Sequence, residues 1–133
     1  AMLMATGDTL PAAVHVHDPV AHADMASWYA AAELYLSTSR REGSNYSLVE
    51  ALSCGCEPAV SDIPPHRAIV GSLAAPFGVG DAHASAEAIV AASTLPRAAA
   101  SAHSQQHLGW PAVARQLRDV YSTLAYARVV NIA

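Results

Sequence analysis

The fold is decided by residues 39–62, which read SRREGSNYSLVEALSCGCEPAVSD. The first part is a polar loop with a glycine, the middle is a short apolar helix that ends at a second glycine, and the end is a strand predicted over residues 58–61. We expect the helix to begin within residues 45–47. Two carboxylates bracket the junction of loop and helix, Glu42 in the loop and Glu50 on the helix, with seven residues between them.

The start of a helix is a natural anion site. Its first backbone N–H groups have no partner within the helix, and the peptide dipoles add to a partial positive charge there. A carboxylate is a poor partner for a phosphate, but it accepts hydrogen bonds well from sugar hydroxyls. Anion donors between two such acceptors predict a site for a sugar joined to a phosphate.

This stretch resembles the Glu-x7-Glu signature of the family 4 retaining glycosyltransferases. The signature usually reads Glu-Gly-Phe-Gly, four residues, Glu-Ala-Met-Ala-Cys-Gly, one residue, then Pro-Val-Val-Ala-Ser. Here it corresponds to Glu42-Gly43, to residues 50–56 (EALSCGC) and to residues 58–64 (PAVSDIP). The agreement extends well beyond the two glutamates.

The chain departs from the signature at Ser44 and Asn45, which replace the usual phenylalanine and glycine. Asparagine tolerates a left-handed backbone better than most residues, so we expect the turn to survive. The structural alternative for this segment is an ordinary loop in which Ser44 or Asn45 caps the helix and binds no ligand.

The resemblance implies a GT-B fold of two Rossmann-like domains and the use of nucleotide diphosphate sugars, UDP- or GDP-linked. It implies transfer to an acceptor with retention at the anomeric carbon, a hexosyltransferase-type reaction of polysaccharide or glycolipid biosynthesis. No cofactor and no metal are expected. By resemblance, this chain is the donor-binding part of the C-terminal domain, recognisable over residues 12–127.

The same resemblance assigns the site residues. Glu42 would bind the donor sugar as the catalytic residue, and Glu50 would accept from the ribose hydroxyls. The donor sugar and phosphate segment comprises Gly43, Ser44, Asn45, Tyr46 and Ser47, and the nucleobase contacts are His17, Asp18 and Val20.

Each glutamate also has a structural alternative. Glu42 can be a solvated loop carboxylate paired with Arg40 or Arg41, which would contribute little to stability. Glu50 can belong to a capping box with Ser47, three residues earlier, and merely hold the helix start. Surface exposure is also the expectation for at least one of the two arginines.

The composition bounds the class of protein. With 133 residues, 53% hydrophobic and 14% charged, the chain fits one globular domain. A net charge of −4 and a pI near 5.9 do not indicate the positively charged surface that nucleic-acid binding requires.

Cys54 and Cys56 are predicted to be buried thiols in a reducing cytoplasm rather than a disulfide. His15 and His17 alternate on a predicted strand, but two ligands without a third do not make a metal site.

The rest of the chain predicts strands alternating with helices, an α/β Rossmann-like parallel sheet with helices on both faces. After a lead-in over residues 1–11, strands are predicted over 12–17 and 33–37, helices over 23–32, 66–70 and 82–92, and a helix or loop up to 107. Residues 75–81 resemble the family's last strand and its glycine-aspartate turn. A final helix over 111–127 is predicted to bury Val113, Leu117, Val120, Tyr121 and Leu124. Trp28, Trp110 and Tyr121 are interpreted as core or interdomain packing.

We expect residues 1–133 to be a single partial domain whose partner is a missing N-terminal acceptor domain. The family keeps an arginine and a lysine for the diphosphate in an earlier segment, and all seven basic residues here are arginines. The fragment alone is therefore expected to be inactive, and the alternative function is a catalytically silent nucleotide-sugar-binding or structural remnant.

Incomplete sheet edges predict self-association. A cytoplasmic location is expected, with any contact to the inner membrane face made through the parent protein. A dinucleotide-binding oxidoreductase is disfavoured, because no Gly-x-Gly-x-x-Gly follows a strand.

Overall fold

The computed structural model describes residues 13–130, with side chains up to residue 124. In chain order the elements are a 3₁₀ turn His22–Asp24, α1 Met25–Ala31, β1 Leu34–Ser37, α2 Tyr46–Ser53, β2 Glu57–Val60, α3 Pro64–Val70, α4 Ala82–Ala92, α5 Arg97–His103, a π-helical segment Ser104–Leu108 and α6 Trp110–Val130. The predicted lead-in lies outside the described residues.

The two strands are parallel and adjacent. Leu34 lies opposite Glu57 and Ser37 opposite Val60. Helices α2, α4 and α5 all contact β2, and α2 also contacts α1 and α5. The predicted α/β class with a parallel sheet is confirmed.

Local chemistry explains why α2 forms where it does. Asn45 caps its start, and Gly55 after its end has φ +86, a backbone conformation that side chains other than glycine rarely adopt. A Cβ added to Gly55 would lie 3.3 Å from the carbonyl oxygen of Arg97. Between these ends Leu48 and Leu52 are fully buried. The helix is therefore fixed at both ends and along its inner face.

Two hydrophobic clusters flank α2. The larger is formed by Leu48, Leu52, Val60, Val70 and Ala100. The smaller is formed by Tyr29, Ala51 and Cys56. Because both clusters include residues of α2, this helix connects the two parts of the core.

Two sequence-based predictions of strands fail. Residues 14–17 have no regular secondary structure, and Ala12 lies outside the described residues. Within residues 13–130 no strand pairs with them, so their backbone groups have no ladder to join. The imidazole of His17 instead packs edge-on against Trp28, with 4.7 Å between ring centroids. The strand that the resemblance implies within residues 75–81 is reduced to one parallel bridge between Phe77 and Ser61, whereas the turn at Gly80 that follows it is present.

The predicted buried face of α6 is also wrong for most of its length. Only its first turn is covered, where α6 contacts the π-helical segment and Ala112 is buried. The apolar side chains that follow are more than half exposed, namely Leu117, Val120, Tyr121 and Leu124. Trp110 is 85% exposed and Trp28 45% exposed, so neither is a core residue here. No helix among the described residues is long and apolar enough to cross a membrane.

Candidate functional site

The candidate site lies where both strands end. Ser37 is the last residue of β1, Ser61 directly follows β2, and residues 38–45 form the loop that leads from β1 into α2. In open parallel α/β sheets, ligands bind beyond the carboxyl ends of the strands. The Glu-x7-Glu stretch is therefore placed at the edge of the sheet where a ligand is expected.

The loop is held in place by serine hydroxyls. The Ser61 hydroxyl donates to the carbonyl oxygen of Ser39 at 2.6 Å. The Ser39 hydroxyl in turn donates to Oε1 of Glu42, also at 2.6 Å. Glu42 is exposed, and among the described residues it forms no ion pair with Arg40 or Arg41. Its carboxylate is thus oriented by a hydroxyl and is open to solvent, rather than neutralised by a guanidinium.

Asn45 is the N-cap of α2. Its Oδ1 accepts from the N–H of Leu48 at 3.0 Å, a donor that it shares with the backbone carbonyl oxygen of Asn45 at 3.2 Å. The structural alternative for Glu50, a capping box with Ser47, does not form, because Ser47 is the second residue of the helix and does not cap it. Asn45 has φ −84, so the segment does not use the expected left-handed turn.

The helix start presents accessible backbone donors. The N–H of Tyr46 donates to the carbonyl of Ser44 at 3.1 Å, whereas that of Ser47 has no partner within residues 13–124. Gly43, Ser44, Tyr46 and Ser47 are all exposed, and Asn45 is buried. This arrangement can accept an anion, because a free N–H at a helix start is both a donor and the positive end of the helix dipole.

Glu50 lies on the side of α2 that faces α1. It lines a cavity of about 300 Å³ together with His22, Met25 and Tyr29. Within residues 13–124 its side chain makes no hydrogen bond, so its carboxylate remains available to a ligand. The structure thus brings Glu50 together with the residues just before α1, and places Glu42 in the loop.

The segment predicted to contact a nucleobase precedes the 3₁₀ turn. His17 and Asp18 are exposed and Val20 is half-buried. The contact of His17 with Trp28 places this segment against α1, one of the two helices that bound the Glu50 cavity. Within residues 13–130 no group of three metal-binding side chains is present.

A second cavity adjoins the loop. It has a volume of about 320 Å³ and is lined by Thr38 and Arg40, by Phe77, and by residues 80–82 and Ser85 around the start of α4. Arg40 and Arg41 are both exposed, as expected for at least one of them. Arg40 is therefore the arginine whose guanidinium has a cavity beside it.

Burial raises the pKa of two side chains near the site, one thiol and one tyrosine hydroxyl. Desolvation raises the pKa of Cys56, which is buried and donates to the carbonyl oxygen of Tyr29 at 3.0 Å. Cys56 is a buried thiol, as predicted, whereas Cys54 is only half-buried. Burial also raises the pKa of Tyr35, whose hydroxyl stays protonated and lies 3.3 Å from Asn45 Oδ1.

Sequence reasoning missed His66, which is fully buried in α3 with its Nε2 2.9 Å from Nδ2 of Asn45. The sequence analysis also assigned no role to Ser39 or Ser61. The one available signal was position, since Ser61 and His66 follow β2 at the same edge of the sheet as the Glu42 loop. A lone histidine after two prolines does not reveal which side chain it meets.

Together, the parallel strands and the loop that leads into a capped helix define an α/β protein whose candidate site lies beyond the carboxyl ends of its strands. Comparison with known families shows to which class of α/β protein the chain belongs. The family model described as "Glycosyl transferases group 1" matches residues 3–94, and the chain belongs to this family. No curated protein and no solved structure matches the chain. The parent activity is therefore glycosyl transfer.

Proposed function

We propose that this chain is the donor-binding part of a family 4-like retaining glycosyltransferase with the GT-B fold. It binds a UDP- or GDP-linked sugar, and the parent enzyme transfers the hexosyl group to an acceptor with retention. The observation that carries the proposal is the position of the Glu-x7-Glu stretch. In a chain of the glycosyltransferase family, Glu42 lies in the loop that follows β1, and Glu50 lies on α2, the helix that this loop leads into.

The donor diphosphate is proposed to lie at residues 43–47. The exposed backbone and the free N–H of Ser47 favour an anion there. As the bond to the sugar breaks, negative charge grows on the departing diphosphate and the sugar ring becomes oxocarbenium-like. Fixed N–H donors stabilise that charge without having to reorganise, which lowers the barrier to transfer.

The two glutamates bind different parts of the donor. Glu42, oriented by Ser39, accepts from a hydroxyl of the sugar. Glu50 accepts from the ribose hydroxyls, in the cavity between α1 and α2. The nucleobase lies toward His17, Asp18 and Val20, which the His17–Trp28 contact keeps near α1.

The proposal requires no resident cofactor or metal, since the N–H donors take the role of a bound cation. It also requires an acceptor-binding domain as partner. A cytoplasmic location, with membrane contact through the parent protein, belongs to the same proposal.

The two roles can be separated by paired substitutions. Glu50→Gln is expected to weaken binding of a nucleotide and of its sugar conjugate equally, by about tenfold or more, because both carry the ribose. Glu42→Gln is expected to weaken only the sugar conjugate. Glu87→Gln, an exposed carboxylate on α4 paired with His83, is the matched control and should change neither.

The measurement is the dissociation constant of UDP, GDP and their hexose conjugates for each variant. Equal losses for Glu42→Gln with and without the sugar would contradict the assignment of Glu42. Binding by the wild type, combined with no transfer by the parent protein, would favour the catalytically silent alternative.

A further inference from the structure

His66 is hydrogen-bonded through both ring nitrogens although it is completely buried. Its Nδ1 lies 2.8 Å from the carbonyl oxygen of Ser61, and its Nε2 lies 2.9 Å from Nδ2 of Asn45. A carbonyl oxygen can only accept, so Nδ1 carries the proton. Nε2 is then an acceptor, and the Asn45 amide must donate to it.

The helix side leads independently to the same orientation of Asn45. Its Oδ1 accepts from the N–H of Leu48 at 3.0 Å and from the hydroxyl of Tyr35 at 3.3 Å. If the amide were rotated by half a turn, its NH₂ would face the N–H of Leu48, two donors would meet, and the cap would be lost. The acceptor of His66 and the donor of Leu48 therefore select one and the same amide orientation.

We propose that His66, in its Nδ1–H tautomer, is a positioning residue that holds Asn45 in the orientation that caps α2, and so sets the start of the helix at the donor site. It acts through Asn45, since its own side chain is completely buried and cannot reach a ligand at the surface. What the helix start binds rests on the proposed function, whereas the positioning itself does not.

A second branch runs from the same histidine toward Glu42. The Ser61 hydroxyl lies 3.3 Å from Nδ1 of His66 and donates to the carbonyl of Ser39 at 2.6 Å. Ser39 then donates to Glu42. His66 thus lies between the two supports of the site, the cap of α2 and the serine chain of the loop.

A matched pair of amides tests the proposal. In His66→Gln the side chain is long enough to place an acceptor oxygen near the position of Nε2, so Asn45 keeps its partner. In His66→Asn the side chain reaches only the position of Nδ1, so the buried NH₂ of Asn45 has none. Because Asn is also smaller than Gln, His66→Leu, which is similar in size to Gln but has no acceptor, is the packing control: packing alone predicts that it behaves like His66→Gln, and the proposal predicts that it behaves like His66→Asn.

The first readout is amide hydrogen exchange at Leu48, measured by NMR without any ligand. We expect His66→Asn to speed this exchange roughly fivefold or more, as the loss of a typical N-cap would, and His66→Gln to stay near the wild type. Equal exchange rates in the two variants would overturn the proposal. If neither variant folds, long-range proton–nitrogen NMR of the wild type decides, because a proton on Nε2 would equally overturn it.

The second readout is the binding of UDP and GDP. His66→Asn is expected to weaken the binding of whichever nucleotide the wild type takes, and His66→Gln to restore it. If Leu48 exchange responds but the wild type binds neither nucleotide, the proposed donor site fails while the positioning role stands. If binding is normal in His66→Asn despite faster exchange at Leu48, the link from the cap to the donor site is wrong.

Discussion

The hydroxyl of Ser39 donates to Oε1 of Glu42 at 2.6 Å, which orients an otherwise exposed carboxylate at the edge of the sheet. We predict that Ser39→Ala selectively weakens binding of a nucleotide sugar, by about threefold to tenfold, which corresponds to the roughly 1 kcal/mol of a typical hydrogen bond. Binding of the free nucleoside diphosphate should not change, because Glu42 is assigned to the sugar. Competition titrations with both ligands measure the difference. An equal loss for both would contradict this role of Ser39.

Glu57 is buried in β2 at 2% exposure, with Oε1 3.4 Å from the N–H of Ala100. Its Oε2 has no partner among the described residues. Desolvation raises its pKa, while the Ala100 N–H and Arg97 act in the opposite direction. Because the folded pKa lies above the unfolded one, the carboxyl contributes stability that is complete below the unfolded pKa. That stability is lost as the pH rises through the folded pKa.

We therefore predict that Glu57→Gln gains stability relative to the wild type between about pH 4 and neutral pH, by about 1 kcal/mol per unit of pKa shift removed. Urea unfolding across this pH range measures the difference between the two proteins. Glu33→Gln, at an exposed carboxylate just before β1, is the control. A difference that does not change with pH would contradict a raised pKa at Glu57.

Gly55 combines a φ of +86 with a close approach to the Arg97 carbonyl. Gly55→Ala is predicted to destabilise the fold by about 1–2 kcal/mol, because a Cβ both strains this backbone and meets that oxygen. Gly43→Ala is the matched control, since a Cβ there meets nothing within 4 Å. Thermal unfolding of both variants gives the comparison. Equal stabilities would mean that the end of α2 rearranges freely.

Self-association of the chain stays a prediction. β1 and β2 pair only with each other among the described strands, and open strand edges promote association. Light scattering over a range of concentrations should give a mass that rises above that of one chain. A constant monomer mass at high concentration would contradict it.

The parts of the fold that follow from local signals could be predicted from the sequence. The loop into α2, the glycine at its end and β2 are set by residues adjacent in the chain, and Asn45 was one of two residues expected to cap the helix. Helix α4 likewise begins where a helix is predicted over 82–92, and Asp81 caps it by accepting from the N–H of Ala84 at 2.9 Å. Local spacing was sufficient at Asn45 and Asp81, although the same kind of signal also suggested a capping box of Ser47 and Glu50, which does not form.

The parts that depend on distant partners could not be predicted. Val14 and Val16 alternate like a strand, yet a strand forms only beside another strand. The spacing of Leu117 and Leu124 marks an apolar face, but not whether anything covers it. His66 acquires its role only because α3 brings it to Asn45, 21 residues earlier, and no periodicity encodes that meeting.

The most direct measurement of the central claim is calorimetric titration of the chain with UDP, GDP, ADP and their sugar conjugates, using the wild type, Glu50→Ala and Glu87→Ala. We predict that the wild type binds a UDP- or GDP-linked donor, that Glu50→Ala loses this binding, and that Glu87→Ala retains it. Binding that survives in Glu50→Ala would contradict the ribose site. Absence of binding to every one of these ligands would contradict a donor site within this chain.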